Sequence, residues 1–277
     1  MSSQLIAYQT IQSFQIYINS GQATTFNNTK LSDVTFDFKN IFSLDKKVYE
    51  VRLGVVTAEI PYSFYQINET NYKFQITIGG ITSTYNASLG NYNINTFITM
   101  LLSILPAGFN ITYDLSISKL TFSYTQSFQI SDTNKSIFPI LGFATGQVYT
   151  SNASFILTAP NCYNLNPINR LMINTNTFNI PNIDTFNKSI TTVLASIPIN
   201  CMPNDTIFYT NFANFRTTLS NPSSLNQLNL EIYDDYEQQI NFNGLNWTLT
   251  IQVDVLRENL FNPKNLEDLY TQEESLV

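Results

Sequence analysis

Between residues 226 and 257 apolar side chains recur at every second position, a pattern that restricts the chain to half-buried sheet. Leu228, Leu230 and Ile232 alternate with Asn229 and Glu231. Leu245, Trp247, Leu249, Ile251, Val253 and Val255 then alternate with Asn246, Thr248, Thr250, Gln252 and Asp254. A period of two puts every apolar member on one face, as an antiparallel sheet with one solvated face requires. Asp234-Asp235 and Asn243-Gly244 lie between the runs and tolerate the positive φ of tight turns, so the stretch reads as a hairpin of two facing strands. Trp247 falls on the apolar face and reads as core.

The rest of the chain repeats this grammar in three blocks. The first holds strands at Phe14, Ile16 and Ile18, at Val34, Phe36 and Phe38, and at Tyr49, Val51, Leu53 and Val55. Pro61 cannot donate to a ladder, so the last of these ends or meets an edge there. The second block changes period. A strand at Tyr72, Phe74, Ile76 and Ile78 closes on Gly79-Gly80, and Phe97, Ile98, Leu101, Leu102 and Leu105 then fall at helical spacing. Asn93 or Asn95 caps that helix, and Pro106 with Gly108 stops it. Phe109, Ile111 and Tyr113 pair with Leu120, Phe122 and Tyr124, and a second short helix spans 135–141 before Gly142. The third block returns to strands near Leu171, 190–194 and 207–209. About eight strands in blocks one and three, with long connections, fit a jelly-roll β-sandwich. The fold expected is mainly β, with the sandwich from 1–67 and 152–257, a small α+β lobe inserted at 68–151, and a C-terminal arm at 258–277.

Composition narrows the chemistry. The 277 residues contain no histidine, which removes the commonest general base and metal ligand. Asp234, Asp235 and Glu237 are the best paired carboxylates, but they sit in a turn, where acids serve the backbone. Asp132, Asn134 and Ser136 alternate as the first ligands of a Ca²⁺ loop would, without its glycine and later glutamate, and read as a plain turn. No catalytic residue, cofactor or metal is expected. A net charge of −7 with 13 dispersed Lys and Arg argues against direct binding of nucleic acid. No apolar run approaches the ~18 residues of a membrane helix, and no secretory signal is visible. Cys162 and Cys201 read as two buried free thiols in preference to a bridge. Charged residues are only 12%, so the surface lacks the repulsion that keeps proteins apart, as in a subunit covered by neighbours. A biased codon usage explains the same composition equally well.

Several phrases carry a resemblance. They are residues 58–67 (AEIPYSFYQI), 90–97 (GNYNINTF), 111–114 with 120–122, 140–143 (ILGF) and 240–247 (INFNGLNW). In this order they resemble minor capsid proteins of nucleocytoplasmic large DNA viruses, their virophages and polinton-like viruses, over about 9–257. The resemblance implies a jelly-roll subunit of an icosahedral shell, either a penton or a cementing protein, and not an enzyme. It implies a virion location after synthesis in the host cytoplasm or a viral factory. The implied partners are the major capsid protein, other minor capsid proteins and further copies of the chain, five if it is a penton. Tyr62, Phe64 and Tyr65 after Pro61 are interface candidates, since aromatic side chains anchor protein contacts, and core packing reads equally well for them. Phe261, Leu269 and Tyr270 are candidates as part of a C-terminal arm that latches onto an adjacent subunit. The alternative is a carbohydrate- or receptor-binding jelly-roll module on a virion or cell surface.

Overall fold

The computed structural model describes residues 6–38, 50–177, 182–184, 189–219 and 226–260. Two compact units form: residues 1–63 with 170–277, and residues 64–169. The second is therefore wider than the 68–151 read from the change of period. In chain order the first unit opens with β1 (Ile6–Asn19), β2 (Thr25–Phe26), β3 (Asp33–Asp37) and β4 (Glu50–Pro61). The second unit follows with β5 (Lys73–Ile78), β6 (Ile81–Asn86), α1 (Ile94–Ile104), β7 (Asn110–Asp114) and β8 (Lys119–Ser123). It ends with β9 (Phe128–Ser131), α2 (Phe138–Leu141), β10 (Val148–Thr150) and β11 (Ile156–Thr158). The first unit resumes with β12 (Arg170–Asn174), β13 (Asn182–Asp184), β14 (Ser189–Thr191) and β15 (Val193–Pro198). Its last strands are β16 (Thr206–Thr210), β17 (Thr217–Leu219), β18 (Gln227–Tyr233) and β19 (Thr248–Leu260).

In the first unit, one sheet runs β1-β19-β4-β16, with β17 also on β4, and another runs β15-β12-β18-β3-β2. With the short β2, β13, β14 and β17 set aside, eight strands remain among the described residues. Numbered along the chain, one sheet takes strands 1, 8, 3 and 6 and the other takes 5, 4, 7 and 2. All these pairings are antiparallel. Such interleaving is the double Greek key of a jelly roll.

Period two accounts for the core. In β19, Leu249, Ile251, Val253 and Val255 are buried while the residues between are half-exposed. They stand opposite Ile18, Ile16 and Phe14 on one side and Ala58, Val55, Leu53 and Val51 on the other. The second sheet offers Leu228, Leu230 and Ile232 from β18, all fully buried, beside Phe36, Val34 and Ile173. These two apolar faces supply the sandwich interior. Trp247 is 0% exposed, and its Nε1–H donates to the Leu31 carbonyl at 2.8 Å.

The expected hairpin over 226–257 does not form. β18 pairs with β3 and β12, whereas β19 pairs with β1 and β4, so the two strands lie in different sheets. Alternation assigns a residue to a face of its strand and says nothing of which strand lies beside it. Two separate turns around Asp234 and Asn243-Gly244 fill the connection, giving the chain room to change sheets. β19 also continues past Arg257 to Leu260, so the start expected for a C-terminal arm is strand. Residues 261–277 lie outside the described residues.

The second unit has sheets β10-β9-β5-β6 and β11-β8-β7. α1 starts where Asn93 accepts from Thr96 N–H and the Thr96 hydroxyl accepts from Asn93 N–H, a reciprocal cap. Phe97 and Leu101 face a core shared with Phe74, Phe122, Phe128 and Phe138. The expected hairpin forms in register, Ile111 opposite Phe122 and Tyr113 opposite Leu120. α2 is a single turn beginning at Phe138, later than expected, because Pro139 fits only a first turn. Gly142 closes it at φ 85, and a Cβ there would lie 2.4 Å from the Asn161 carbonyl oxygen.

Candidate assembly surface

The outer face of the first sheet is polar along most of its rows. Tyr17, Thr250, Thr57 and Thr210 stand side by side across four strands, as do Asn19, Thr248, Glu59 and Phe208. β16 is the exception. Among the described residues it pairs only with β4, which leaves its far side an open ladder there. Ile207 points inward opposite Ile60, and both are fully buried. Phe208 must then point outward, and it is 65% exposed.

The segment from β16 to β17 is built to stay at this edge. Asn211 N–H donates to the Val56 carbonyl, and its Nδ2 donates to the carbonyls of Val55 and Phe215, each at 3.1 Å. Its Oδ1 accepts from Phe215 N–H. One side chain thus staples both ends of the loop to β4. The loop crosses β4 at Gly54, where a Cβ would lie 2.5 Å from the Phe215 carbonyl oxygen. Only glycine leaves room for backbone there. Arg216 continues the crossing and reaches Asp254 on β19 at 3.6 Å. Held in this way, Phe212 is 94% and Phe215 57% exposed, and Met202 is exposed just before β16. Aromatic rings so bare on an anchored loop are expensive in water.

Of the interface candidates read from sequence, Tyr62 and Phe64 are each 2% exposed, which corrects the expectation that they lie on the surface. Tyr65 is 41% exposed. Phe261, Leu269 and Tyr270 lie outside the described residues. Residues 58–67 alternate strictly enough that Tyr62 and Phe64 share the phase of the buried Ile60, and only Tyr65 steps out of it. Phe208, Phe212 and Phe215 were not singled out by the sequence. Their one local signal is the succession Ile207-Phe208-Tyr209, where large apolar residues occupy both faces of one strand.

The acids of the turn serve the backbone. Asp234 Oδ1 accepts from the N–H groups of Tyr236 and Gln238, both at 2.8 Å, and burial pushes its carboxyl above the ordinary value. Asp235 pairs with Arg170 at 2.9 Å. Asp132 accepts from Thr133 and Gly146 N–H, and the Ser136 hydroxyl accepts from Phe138 N–H, a turn arrangement. Cys162 and Cys201 are free thiols, but Cys162 is exposed where burial was expected. Its sulfur donates to the Ile117 carbonyl from a surface turn. Among the described residues no helix is long and apolar enough to cross a membrane.

No protein-family profile matches this chain, and no curated protein does. Solved structures do match. The mavirus penton protein aligns over 88% of this chain and 99% of its own, at 13% identity and a TM-score of 0.44. A chain of the Sputnik virophage, solved by cryo-EM, aligns over 87% of this chain and 97% of its own, also at 13% identity and a TM-score of 0.44.

Proposed function

We propose that the chain is a structural subunit of an icosahedral virus capsid, a penton or cementing protein that acts through contacts with copies of itself and with the major capsid protein. The observation that carries this reading is the aromatic edge at β16. At about 200 Å² per ring, the exposed fractions of Phe208, Phe212 and Phe215 leave roughly 430 Å² of apolar surface in water. A standard interface covers about 800 Å² on each partner, so three side chains supply half of one side. The occupant is a second copy of this chain. An open strand edge bearing aromatic rings is a template for contact with another copy, and where that contact is heterologous and its rotation closes, repetition makes a ring. The sequence resemblance to minor capsid proteins points the same way.

Light scattering on the purified chain across a concentration series tests this. Pentamers or other closed rings are expected at micromolar concentration. A chain that stays monomeric throughout has no such surface, and the reading falls.

One cleft favours the carbohydrate-binding alternative. It is an open depression of about 430 Å³ in the second unit, lined by Glu69, Tyr72, Asn86, Ser88, Leu89 and Lys135. The ammonium groups of Lys73 and Lys135 stand 5.1 and 5.9 Å from the centre of the Tyr72 ring. Two ammonium groups over a tyrosine ring, beside the Asn86 amide, suit an acidic sugar. Titration with sialyllactose decides it: saturable binding that lactose does not reproduce supports this alternative, and its absence removes it.

A further inference from the structure

We propose that copies of this chain join head to tail through the two edges of the first sheet, β1 of one copy pairing antiparallel with β16 of the next. This rests on the assembly reading above and names the patch that receives its aromatic edge. Among the described residues β1 pairs only with β19, as β16 pairs only with β4, so the sheet ends there on two open ladders. An open ladder is a template for another strand unless the chain blunts it.

Neither edge is blunted. Natural edges are protected by being very short, by lysine or other charges, by proline, or by bulges. The stretch from Gln12 to Asn19 on β1 and that from Thr206 to Thr210 on β16 contain no charged residue and no proline. The bulge of β1 falls between Thr10 and Gln12, at the end of its stretch. The other sheet of the same unit carries such devices: β2 has two residues, and β15 ends on Pro198. One sheet of the unit is thus guarded at its edges, and the other is left ready to pair.

The two edges match in direction and extent. β1, β19, β4 and β16 each run antiparallel to the strand beside them, so β1 and β16 point in opposite directions. A neighbour in the same orientation therefore presents its β1 antiparallel to β16, and the alternation continues from one copy into the next. β16 and β17 together lie along β4 between Val51 and Pro61. The rows from Val51 to Glu59 cross β19 from Val255 to Thr248 and reach Gln12 to Asn19 on β1. Self-pairing of β16 about a twofold axis would leave β1 open. Contact between the unlike edges uses both, and such a heterologous contact is what a closed ring requires.

Tyr17 supplies the apolar part of the receiving edge. It stands on the outer face in the row of Thr250, Thr57 and Thr210 and is 79% exposed. At about 200 Å² per ring it leaves roughly 160 Å² in water, against roughly 430 Å² for the three phenylalanines of the opposite edge. Four side chains then account for about a third of the ~1,600 Å² of a standard interface. Main-chain bonds, with the uncharged Ser13, Gln15 and Asn19, make up the polar remainder.

Two double variants of the full chain test this. One carries Gln15→Lys with Tyr17→Lys on β1, the other Phe208→Lys with Thr210→Lys on β16. All four residues are exposed, so both variants should keep the parent's urea midpoint. Should either midpoint fall, Gln15→Lys alone and Thr210→Lys alone take their place. Sedimentation velocity is run on each variant and on their equimolar mixture, at concentrations where the parent assembles. Each alone should self-associate at least tenfold more weakly than the parent. The mixture should give a one-to-one dimer that grows no further, because one intact β16 meets one intact β1. The head-to-tail pairing is overturned if either variant dimerises alone, if the mixture stays monomeric, or if both assemble like the parent. Those results leave self-assembly standing and move the contact elsewhere. A parent that never assembles refutes the assembly reading itself, and this inference with it.

Discussion

Replacing Phe212 by serine isolates the proposed contact from the fold. The ring is 94% exposed, so about 190 Å² of apolar surface stands in water, using ~200 Å² for a phenylalanine. At about 25 cal/mol per Å², burying all of it against a neighbour is worth at most about 5 kcal/mol. The cost of ordering an interface reduces this, and truncation of a central aromatic anchor typically removes about 2–4 kcal/mol. Self-association should therefore weaken by roughly 30- to 1000-fold. The fold should not notice. Asn211 and Phe215 make the loop's stapling bonds through an amide side chain and backbone groups, none of which the substitution removes. Stability should stay within about 0.5 kcal/mol. Sedimentation velocity over a micromolar series reads the first quantity, and urea unfolding at low concentration reads the second. A variant that associates like the parent refutes the placement of the contact. One that loses more than about 1 kcal/mol of stability shows instead that Phe212 is part of the fold.

Four further outcomes follow from the packing and the titrating groups. Trp247→Phe removes a buried N–H donor and leaves the Leu31 carbonyl without it, so urea unfolding should show a loss of about 2–4 kcal/mol; a loss under 1 would mean the indole is not needed there. Gly142→Ala places a Cβ 2.4 Å from the Asn161 oxygen at φ 85 and should cost about 2–4 kcal/mol by the same measurement, with an unchanged midpoint contradicting the tight crossing. Burial raises the Asp234 carboxyl above 3.8, so the folded chain holds this proton more tightly than the unfolded one. Its contribution is complete below the unfolded value and is lost as pH rises through the raised folded value. Asp234→Asn should therefore be at least as stable as the parent at neutral pH and show a flatter acid profile; a clearly less stable variant would mean the charge itself holds the turn. Burial first, then the Glu231 hydrogen bond, pushes Tyr233 up to about 12. Between 10.0 and that value the unfolded phenol has lost its proton and the folded one has not, so this group should lower stability as pH rises there. Ultraviolet titration should show Glu231→Gln bringing Tyr233 down.

Local chemistry was readable where a segment answers to its own neighbours. Asn93, three residues before Thr96, specifies the start of α1 without help from the rest of the chain, and Ile111 and Phe122 find each other because only a short turn separates their strands. β6 escaped notice because, apart from the half-buried Tyr85, its residues Ile81 to Asn86 are exposed and carry no apolar alternation. The buried asparagines were also illegible. Asn229 looks like any polar residue on a solvated face, and only loops from elsewhere in the chain cover it.

By itself the amino-acid order determined that the chain would be mainly sheet, which side of most strands would be greasy, and where the helical break falls, because a period of two and a cap are properties of a few adjacent residues. Tertiary structure alone decided that β18 and β19 part into different sheets and that Phe208, Phe212 and Phe215 remain in water. Each of these depends on which distant strand occupies the next place in the ladder. A hydrogen-bonding backbone edge is the same for every sequence, so partner choice is settled by the packing of the whole sandwich.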